Sequence, residues 1–366
     1  MTTLLAMLLA LTACERNDPA SASGPSGTNP RRVVLYTSCD QDILRPIIDA
    51  FEQDTGIDVL EVADTEATKT VGLYARLLDE QAAPRADVWW SNEPFYTARL
   101  AHQGLLEPFT PAQSQASLPR GWPEHLRAKD HAWHAFALRA RVIAYDTRKL
   151  QPGVVPRTLR DLAEPRWHAK VGMARPTFGT TAGHIAALVH LWGEEPTRQW
   201  LEAMESQNLR LYDGNSSVVR AIAAGEIELG LTDTDDALAA QQEGLPIAFV
   251  YETDETNSNA PVLTPDAVEP MMSFGALVIP NTAALVKGAP NPDEARTLLE
   301  FLLSERAERL LMTSRSRNVP IREGPAQELF LLHPETNIAP PARVDLDAVA
   351  NEIETARTLT QGVFGG

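Results

Sequence analysis

Short apolar runs alternate with stretches of helical periodicity in the first part of this chain, and no other sequence feature limits the fold as strongly. Apolar runs at 33–36, 57–62 and 86–90 are separated by 43–54 and 70–81, where apolar residues recur three and four positions apart. Short apolar runs between turn residues indicate buried strands, and a period of 3.6 residues indicates helices. Strands and helices in this order predict a parallel sheet covered by helices.

The same alternation continues along the rest of the chain. Further strands are predicted at 137–145, 170–174, 228–232 and 275–280, and further helices at 181–192, 197–205, 218–224, 292–303 and 305–313. A chain of 366 residues is long enough for two domains. We therefore expect an α/β protein with two α/β lobes, in which a late segment returns to the first lobe. Lobe 1 is predicted to comprise residues 32–137 and 275–366, and lobe 2 residues 138–274.

Composition disfavours several classes of protein. The formal net charge of -17 would repel nucleic acids and anionic lipid headgroups. Cys14 and Cys39 are too few for a disulfide framework or a four-cysteine zinc site, and Cys39 is expected to be a small, semi-buried thiol. The sequence contains no phosphate-binding, dinucleotide-binding, HExxH or GxSxG motif. No nucleophile with an assigned base is found either, so the residues themselves give no sign of an enzyme or of a catalytic cofactor.

The N-terminal residues predict export. The apolar run at 4–11 is too short to span a bilayer and is followed by Thr12-Ala13-Cys14, so residues 1–13 are predicted to be a signal peptide. The sequence before Cys14 resembles the bacterial lipobox, in which the cysteine is acylated. Residues 14–31 are rich in Ser, Pro and Gly and predict a disordered tether with a reach of roughly 20 to 25 Å. We expect a periplasmic or cell-surface lipoprotein that touches the membrane only through this anchor.

Several motifs, taken in order, resemble a known family. They are Leu35-Tyr36-Thr37-Ser38, the run at 86–90, the strand at 139–145, the segment 213–220 and the helix end at 299–304. Over residues 33–321 the chain resembles the type II periplasmic solute-binding proteins of ABC importers, in particular the ferric-iron-binding branch. This resemblance implies two α/β lobes joined by a hinge, with a ligand cleft between them that closes by hinge bending. It also implies a monomeric receptor that is not an enzyme, with a permease as partner, and delivery of a metal ion with a synergistic anion.

The resemblance also suggests metal ligands, although the residue types differ from those of the family. The family's site uses a His after the first strand, a Glu after the third and a Tyr-Tyr pair. In this chain the corresponding positions hold Asp40, Asn92 beside Glu93, and Asp235-Asp236. Carboxylates are hard oxygen donors that suit magnesium, calcium, manganese or ferric iron. Metal binding is therefore still expected, whereas specificity for ferric iron does not follow. A polar loop pair is the alternative for Asn92 and Glu93.

Three carboxylates are crowded into four positions at Asp233, Asp235 and Asp236. Such groups repel each other unless a cation, hydrogen bonds or solvent compensates them. A bound metal is one explanation. The other is a solvated acidic turn in which Asp235 or Asp236 caps the helix that follows, and Asp40 has the same alternative at the first predicted helix.

Candidate anion ligands come from lobe 2. Arg139 and Arg141 are two positions apart on a predicted strand, so both face one side and could clamp a carboxylate, carbonate or phosphonate. An inter-strand salt bridge is the alternative. Thr180 and Thr181 lie at a predicted helix start, where backbone N–H groups bind anions or are simply capped. In the resembled family this loop and the position of Asn215 often touch the ligand or its anion.

Two rival functions remain open. One is a receptor for a small organic or phosphorus-containing anion, held by the arginines without ferric iron. The more remote rival is an exported hydrolase that uses paired carboxylates as acid and base. His131 and His134 are three positions apart but are expected to be surface or packing residues, because no acidic residue accompanies them at a matching spacing.

Overall fold

The structure is a computed structural model that describes residues 31–64, 70–112, 116, 118, 120–253, 274–339, 341–342 and 344–365. The predicted signal peptide, Cys14 and the tether up to residue 30 lie outside the described residues. Among the described residues, no helix is both long enough and apolar enough to cross a membrane.

The predicted strand–helix alternation at the start of the chain is confirmed. The first elements are β1 (Arg32–Thr37), α1 (Gln41–Thr55), β2 (Asp58–Ala63), α2 (Val71–Asp79), β3 (Val88–Ser91), α3 (Phe95–His102) and β4 (Leu106–Glu107). Strand β1 lies between β2 and β3 and pairs with both in parallel. The loops at the carboxyl ends of β1 and β3 therefore lie side by side, and they carry Asp40, Asn92 and Glu93.

A long strand links this part of the sheet to the rest. The next strands are β5 (His134–Asp146), β6 (Val171–Ala174), β7 (Arg210–Tyr212), β8 (Leu229–Asp233), β9 (Ile247–Val250) and β10 (Val278–Val286). The first half of β5 pairs with β10, and its second half pairs with β8 and β9. The strand order is β2-β1-β3-β10-β5-β8-β6-β7, with β4 on β10 and β9 on β5. Residues in the middle of β5 consequently lie where the two predicted lobes meet.

Helices cover this sheet and begin close to the ends of its strands. They are α4 (Leu159–Leu162), α5 (Gly179–Trp192), α6 (Glu194–Ser206), α7 (Asn215–Ala224), α8 (Thr234–Gln242), α9 (Pro292–Leu302), α10 (Glu305–Thr313), α11 (Glu323–Leu332), α12 (Leu346–Asn351) and α13 (Ile353–Phe364). Helix α5 is unusual because almost all of its residues are buried. It also touches α3: a Cβ atom added to Gly183 would lie 1.9 Å from the ring of Phe95. Glycine therefore permits a close approach between a lobe 1 helix and a lobe 2 helix.

The C-terminal helices contact both predicted lobes. Helix α12 contacts α3 of lobe 1 and also α5, and α13 packs against α5 and α6 of lobe 2. Arg99 on α3 forms an ion pair of 2.8 Å with Glu354 on α13. The predicted division places all of residues 275–366 in lobe 1, and the placement of α13, which contacts helices of both predicted lobes, stays a prediction. Its buried stripe shows in the sequence, but the surface that covers the stripe is set by tertiary packing. The other lobe boundaries stay a prediction.

Candidate ligand-binding site between the lobes

Two arginines from β5 meet one carboxylate at the end of β8. Arg141 lies directly opposite Asp233 in the antiparallel pairing of these strands. Its Nη1 is 2.7 Å from Asp233 Oδ1, and Nε of Arg139 is 3.5 Å from Oδ2. All three side chains are buried, with 2 to 4% of their surface exposed. Both arginines thus share one face of the strand, and Arg141 forms the inter-strand salt bridge that was its alternative role.

Asp233 also accepts hydrogen bonds from two helix starts. Thr180 Oγ1 donates to Oδ2 at 2.7 Å from the first turn of α5, and Asn215 Nδ2 donates to the same oxygen at 3.0 Å from the start of α7. Burial alone would raise the pKa of Asp233, but the charges of Arg141 and Arg139 and these hydrogen bonds hold it below its usual value. The buried carboxylate is therefore ionised at neutral pH.

Asp235 and Asp236 extend this cluster towards the cleft. One carboxylate oxygen from each of Asp233, Asp235 and Asp236 lies within 4.8 Å of the others, which is close enough to share one ion. Burial raises the pKa of Asp235, and the charges of Asp233 and Asp40 raise it further against the opposing effect of Arg139, 3.3 Å away. Asp235 is therefore a carboxylate that an added cation would stabilise in its charged form.

Neither Asp235 nor Asp236 occupies the N-cap position of α8, although the alternative to metal binding assigned that position to one of them. The N-cap position of α8 is held by Asp233, and Asp235 and Asp236 lie in the first turn. A negative charge there is favoured by the helix dipole. The prediction of Asp235 or Asp236 as N-cap is wrong, because β8 continues to Asp233 and α8 begins immediately after it, at Thr234.

Lobe 1 brings Asp40 to the site, and Asn92 lies in a neighbouring loop. Asp40 occupies the N-cap position of α1 and is near enough to Asp235 to raise the pKa of that carboxyl. Asn92 is joined to the same loop: its Oδ1 accepts from Ser38 Oγ at 3.0 Å, and its N–H donates to that oxygen at 3.1 Å. Side chains predicted from opposite lobes are thus brought together, at least for Asp40 and Asp235.

Glu93 has a different position from the other predicted metal ligands. It is fully buried, and its carboxylate accepts from Phe95 N–H at 2.7 Å, Tyr96 N–H at 3.3 Å and Ser91 Oγ at 3.1 Å. These bonds satisfy the first N–H groups of α3. Burial raises the pKa of Glu93 to about 7 despite these bonds. The contacts describe a helix-capping residue, and a role in metal binding stays a prediction.

The remaining anion candidates form one hydrogen-bonded group with His184, which sequence reasoning missed. Arg141 Nη1 donates to Asn215 Oδ1 at 3.2 Å, and Thr181 Oγ1 donates to the same oxygen at 3.5 Å. Arg141 Nε donates to Nδ1 of His184 at 3.4 Å. His184 is four residues after Thr180, so both lie on the same face of α5. That spacing was the available signal.

Two residues with other candidate roles, His134 and Cys39, are buried. His134 is 1% exposed and packs edge-to-face on Trp122, with ring centroids 5.3 Å apart, which is the packing role expected of it. Cys39 is 7% exposed, as expected for a small buried thiol.

Comparisons with known proteins identify the family. The family model "Bacterial extracellular solute-binding protein" matches residues 33–314. The "Major ferric iron-binding protein" of Neisseria meningitidis serogroup B is 28% identical over 335 residues, which is 90% of this chain and 92% of the relative. The "Fe(3+)-binding periplasmic protein" of Serratia marcescens is 25% identical over 80% of each chain.

A solved structure gives the same fold. Iron-bound HitA from Pseudomonas aeruginosa matches with a TM-score of 0.72 and 24% identity over 92% of this chain and 100% of the other. This agreement confirms the predicted type II fold, with two α/β lobes joined by a hinge. This chain therefore belongs to the family of bacterial extracellular solute-binding proteins, a class of receptors.

Proposed function

We propose that this chain is the solute-binding receptor of an ABC importer and that it binds a metal ion of the iron(III) type together with an anion. One observation carries the proposal: carboxylate oxygens of Asp233, Asp235 and Asp236 lie within 4.8 Å of one another. Hard oxygen donors of this kind suit hard cations, including ferric iron. The names of the relatives, which describe them as ferric iron-binding, support the same cargo.

The two arginines explain why an anion belongs in this proposal. Their guanidinium groups lie within 3.5 Å of Asp233, and Arg139 is 3.3 Å from Asp235. A highly charged cation bound by the carboxylates would be repelled by these two positive groups at short range. An anion such as carbonate or phosphate beside the arginines would offset that repulsion and supply further oxygen ligands to the metal.

Binding in this arrangement would be coupled to lobe closure. Asp235 and Asp236 belong to α8 of lobe 2, and Asp40 belongs to the start of α1 in lobe 1. A ligand held by both sides favours the closed form by the difference between its affinities for the two conformations. We propose that this closed form is the one delivered to the permease.

A metal titration of the folded protein tests the function. After treatment with a chelator, the melting temperature is measured with ferric iron, manganese or calcium, each with and without carbonate or phosphate. A ligand at 100 times its dissociation constant should stabilise the protein by about 2.7 kcal/mol. We expect the largest stabilisation from ferric iron with an anion. If no metal changes the melting temperature under any of these conditions, the proposal is wrong.

A pair of matched variants locates the site. Asp235→Asn plus Asp236→Asn removes two adjacent carboxylates from the first turn of α8. Glu194→Gln plus Glu195→Gln removes two adjacent carboxylates from the first turn of α6, where both are largely exposed. The change in net charge and in helix dipole interaction is the same. Only the first pair should abolish stabilisation by the metal, and equal losses in both would mean a non-specific charge effect.

A second candidate function is a receptor for a small organic or phosphorus-containing anion that needs no metal. It is favoured by a buried donor, Nη2 of Arg141, which has no hydrogen-bond partner among the described residues, whereas Nε of Arg139 already lies 3.3 Å from Asp235 Oδ2. Buried donors without acceptors are costly and are readily satisfied by an anion. Stabilisation by phosphate or a phosphonate alone, unchanged by metal, would favour this candidate over the iron receptor.

We further propose that Cys14 is acylated and that residues 15–30 tether the receptor to the membrane. The support is the apolar segment followed by small residues before Cys14 in the sequence. A monomeric receptor held in this way would stay close to its permease.

A further inference from the structure

One helix face holds two edges of the Arg141 guanidinium. Nε of Arg141 donates to Nδ1 of His184 at 3.4 Å, and Nη1 donates to Oγ1 of Thr180 at 3.4 Å. Thr180 and His184 are one turn apart on α5 and are 6% and 4% exposed. The guanidinium is therefore fixed by a buried helix, and not only by the ion pair with Asp233.

The three guanidinium nitrogens of Arg141 differ in the number of hydrogen bonds that they donate. Nη1 donates to Asp233 Oδ1 at 2.7 Å and to Asn215 Oδ1 at 3.2 Å, in addition to Thr180. Nε is held by His184. Nη2 is buried and, within the described part of the chain, has no acceptor. Because the guanidinium is planar, holding Nε and Nη1 also fixes the direction in which Nη2 points.

We propose that His184 is a positioning residue for the anion end of the site: it holds the Nε edge of Arg141, so that Nη2 is kept ready for an anionic ligand. This inference rests on the proposed function, because it assumes that an anion binds beside the arginines. It adds a specific role for a residue that does not itself touch the ligand.

The hydrogen bond from Arg141 determines the protonation state and the tautomer of His184. An imidazole nitrogen that accepts from a guanidinium carries no proton, so the proton of neutral His184 lies on Nε2. Burial, and then the charge of Arg141, lower its pKa to about 3, although Asp233 acts in the opposite direction. His184 also lines a cavity of about 20 Å³ together with Glu252, Phe274 and Leu277, which has room for one water molecule.

Two substitutions separate positioning from packing. In His184→Asn the side-chain oxygen takes the place of Nδ1 and still accepts from Arg141. In His184→Leu the apolar bulk is kept and the acceptor is lost. His190→Leu, at an exposed position on the same helix, is the control for a histidine change that leaves Arg141 alone. A role limited to packing would be preserved better by leucine than by asparagine.

The affinity of the full chain for phosphate is measured by calorimetry, in the presence of ferric iron and in its absence. We expect His184→Leu to weaken phosphate binding about tenfold, as for the loss of one hydrogen bond to a charged group. His184→Asn should stay within about threefold of the wild type, and His190→Leu should not differ from it. Nitrogen NMR of the wild type should show His184 protonated on Nε2 and unchanged between pH 5 and 8.

Each contrary result has a distinct meaning. Equal phosphate affinity in His184→Leu and the wild type overturns the positioning role and leaves the proposed function intact. The same is true if the Asn variant binds as weakly as the Leu variant, or if NMR places the proton on Nδ1. If the wild type binds phosphate neither with ferric iron nor without it, the anion part of the proposed function fails, and the role of His184 fails with it.

Discussion

At the scale of single residues, the site is a cluster of opposite charges held at short range in a buried space. Asp233 is kept ionised by Arg141 and Arg139, while the neighbouring Asp235 has a raised pKa. Glu93 lies apart, with its carboxylate on the first N–H groups of α3. These carboxylates should therefore respond to pH in different ways.

Glu93 gives a pH prediction with a definite sign. Its pKa in the folded protein is about 7, above its ordinary value of 4.5, so the folded state binds the proton more tightly than the unfolded state. Glu93 therefore makes no unfavourable contribution below about pH 4.5, and stability falls as the pH rises from there to 7. The fall due to this residue should be about 3 kcal/mol.

The measurement is urea unfolding at several pH values between 5 and 8. The wild type should lose stability over this range relative to Glu93→Gln, which has no titrating group at this position. Glu80→Gln is a suitable control. Burial opposes the effect, but hydrogen bonds from Arg76 and Tyr36 hold the pKa of Glu80 below its usual value, so Glu80 does not titrate in this window. Parallel curves for the wild type and Glu93→Gln would contradict the prediction.

Most of these residues could be named from the sequence, but their partners could not. Asp40, Thr180 and Asn215 lie at helix starts that the apolar periodicity placed approximately, whereas Asp235 was named for the crowding of carboxylates around it. The pair Arg141 and Asp233 depends instead on the β5–β8 register, which joins positions 92 residues apart. The spacing of His184 from Thr180 shows that both lie on one face of α5, but the contact of that face with Arg141 depends on tertiary packing.

At the scale of secondary-structure elements, the site is built from helix starts around a hinge strand. Helices α5, α7 and α8 begin at Gly179, Asn215 and Thr234, and α1 begins at Gln41 on the other side. The positive end of each helix dipole lies at these starts, which also carry Asp40, Thr180, Asn215 and Asp235. This field suits the carboxylates of Asp235 and Asp236 as well as a bound anion.

One strand extends well beyond the bounds that sequence periodicity predicted for it. The strand predicted at 275–280 is observed as β10 (Val278–Val286). Its continuation begins with Asn281 and Thr282, which look like loop residues. In the structure, Asn281 Nδ2 donates to Ala137 O at 2.9 Å, and Thr282 shares a hydrogen bond of 2.8 Å with Thr97. Polar residues satisfied by distant partners hide a buried strand from any local pattern.

Contact between α3 and α5 gives a prediction at this scale. A Cβ atom at position 183 would lie 1.9 Å from the buried Phe95 ring, so Gly183→Ala must displace this ring or the helices that carry the two residues. We expect a loss of stability of about 1 to 3 kcal/mol, as for other overpacked cores, and weaker ligand binding because the lobes close less completely. Urea unfolding and phosphate calorimetry measure the two effects.

The chain offers a matched control for this substitution. Gly324 lies in α11, where an added Cβ atom would meet no other atom within 4 Å. Gly324→Ala should leave binding unchanged and should stabilise the protein slightly, by about 0.4 to 1 kcal/mol. Replacing Phe95 by Leu in the Gly183→Ala background should restore part of the lost affinity. Wild-type binding by Gly183→Ala would show that this contact does not limit closure.

At the scale of the whole molecule, one sheet runs through both lobes, and the last two helices hold them together. Strands β5 and β10 pair at the centre of the sheet, and α12 contacts helices from both sides of the cleft. Motion between the lobes would therefore bend β5 and β10 near Arg139 and Ile279, which are paired in the sheet. The charge cluster lies close to this bend.

The proposed membrane anchor leads to a separate prediction. If Cys14 is acylated, the full-length protein expressed in a bacterial host should partition into detergent and incorporate labelled fatty acid. Cys14→Ser should be recovered in the aqueous phase without label, while Cys39→Ser should behave like the wild type, because Cys39 is a buried residue of the folded domain. Aqueous partitioning of the wild type would remove the anchor from the proposal and leave the binding site unaffected.

Closure of the lobes by the ligand is the prediction that joins all three scales. With ferric iron and carbonate or phosphate bound, the radius of gyration from small-angle scattering should decrease, because carboxylates of lobe 2 and Asp40 of lobe 1 are drawn to the same ion. Asp40→Asn should weaken the affinity and reduce the change in radius together, since it removes the contribution of lobe 1 and leaves Asp235 and Asp236 in place. Asp49→Asn, on the exposed side of the same helix, should do neither. If Asp40→Asn lowered affinity without altering closure, the ion would be held by lobe 2 alone and the hinge would be driven by other contacts, such as that between Phe95 and Gly183.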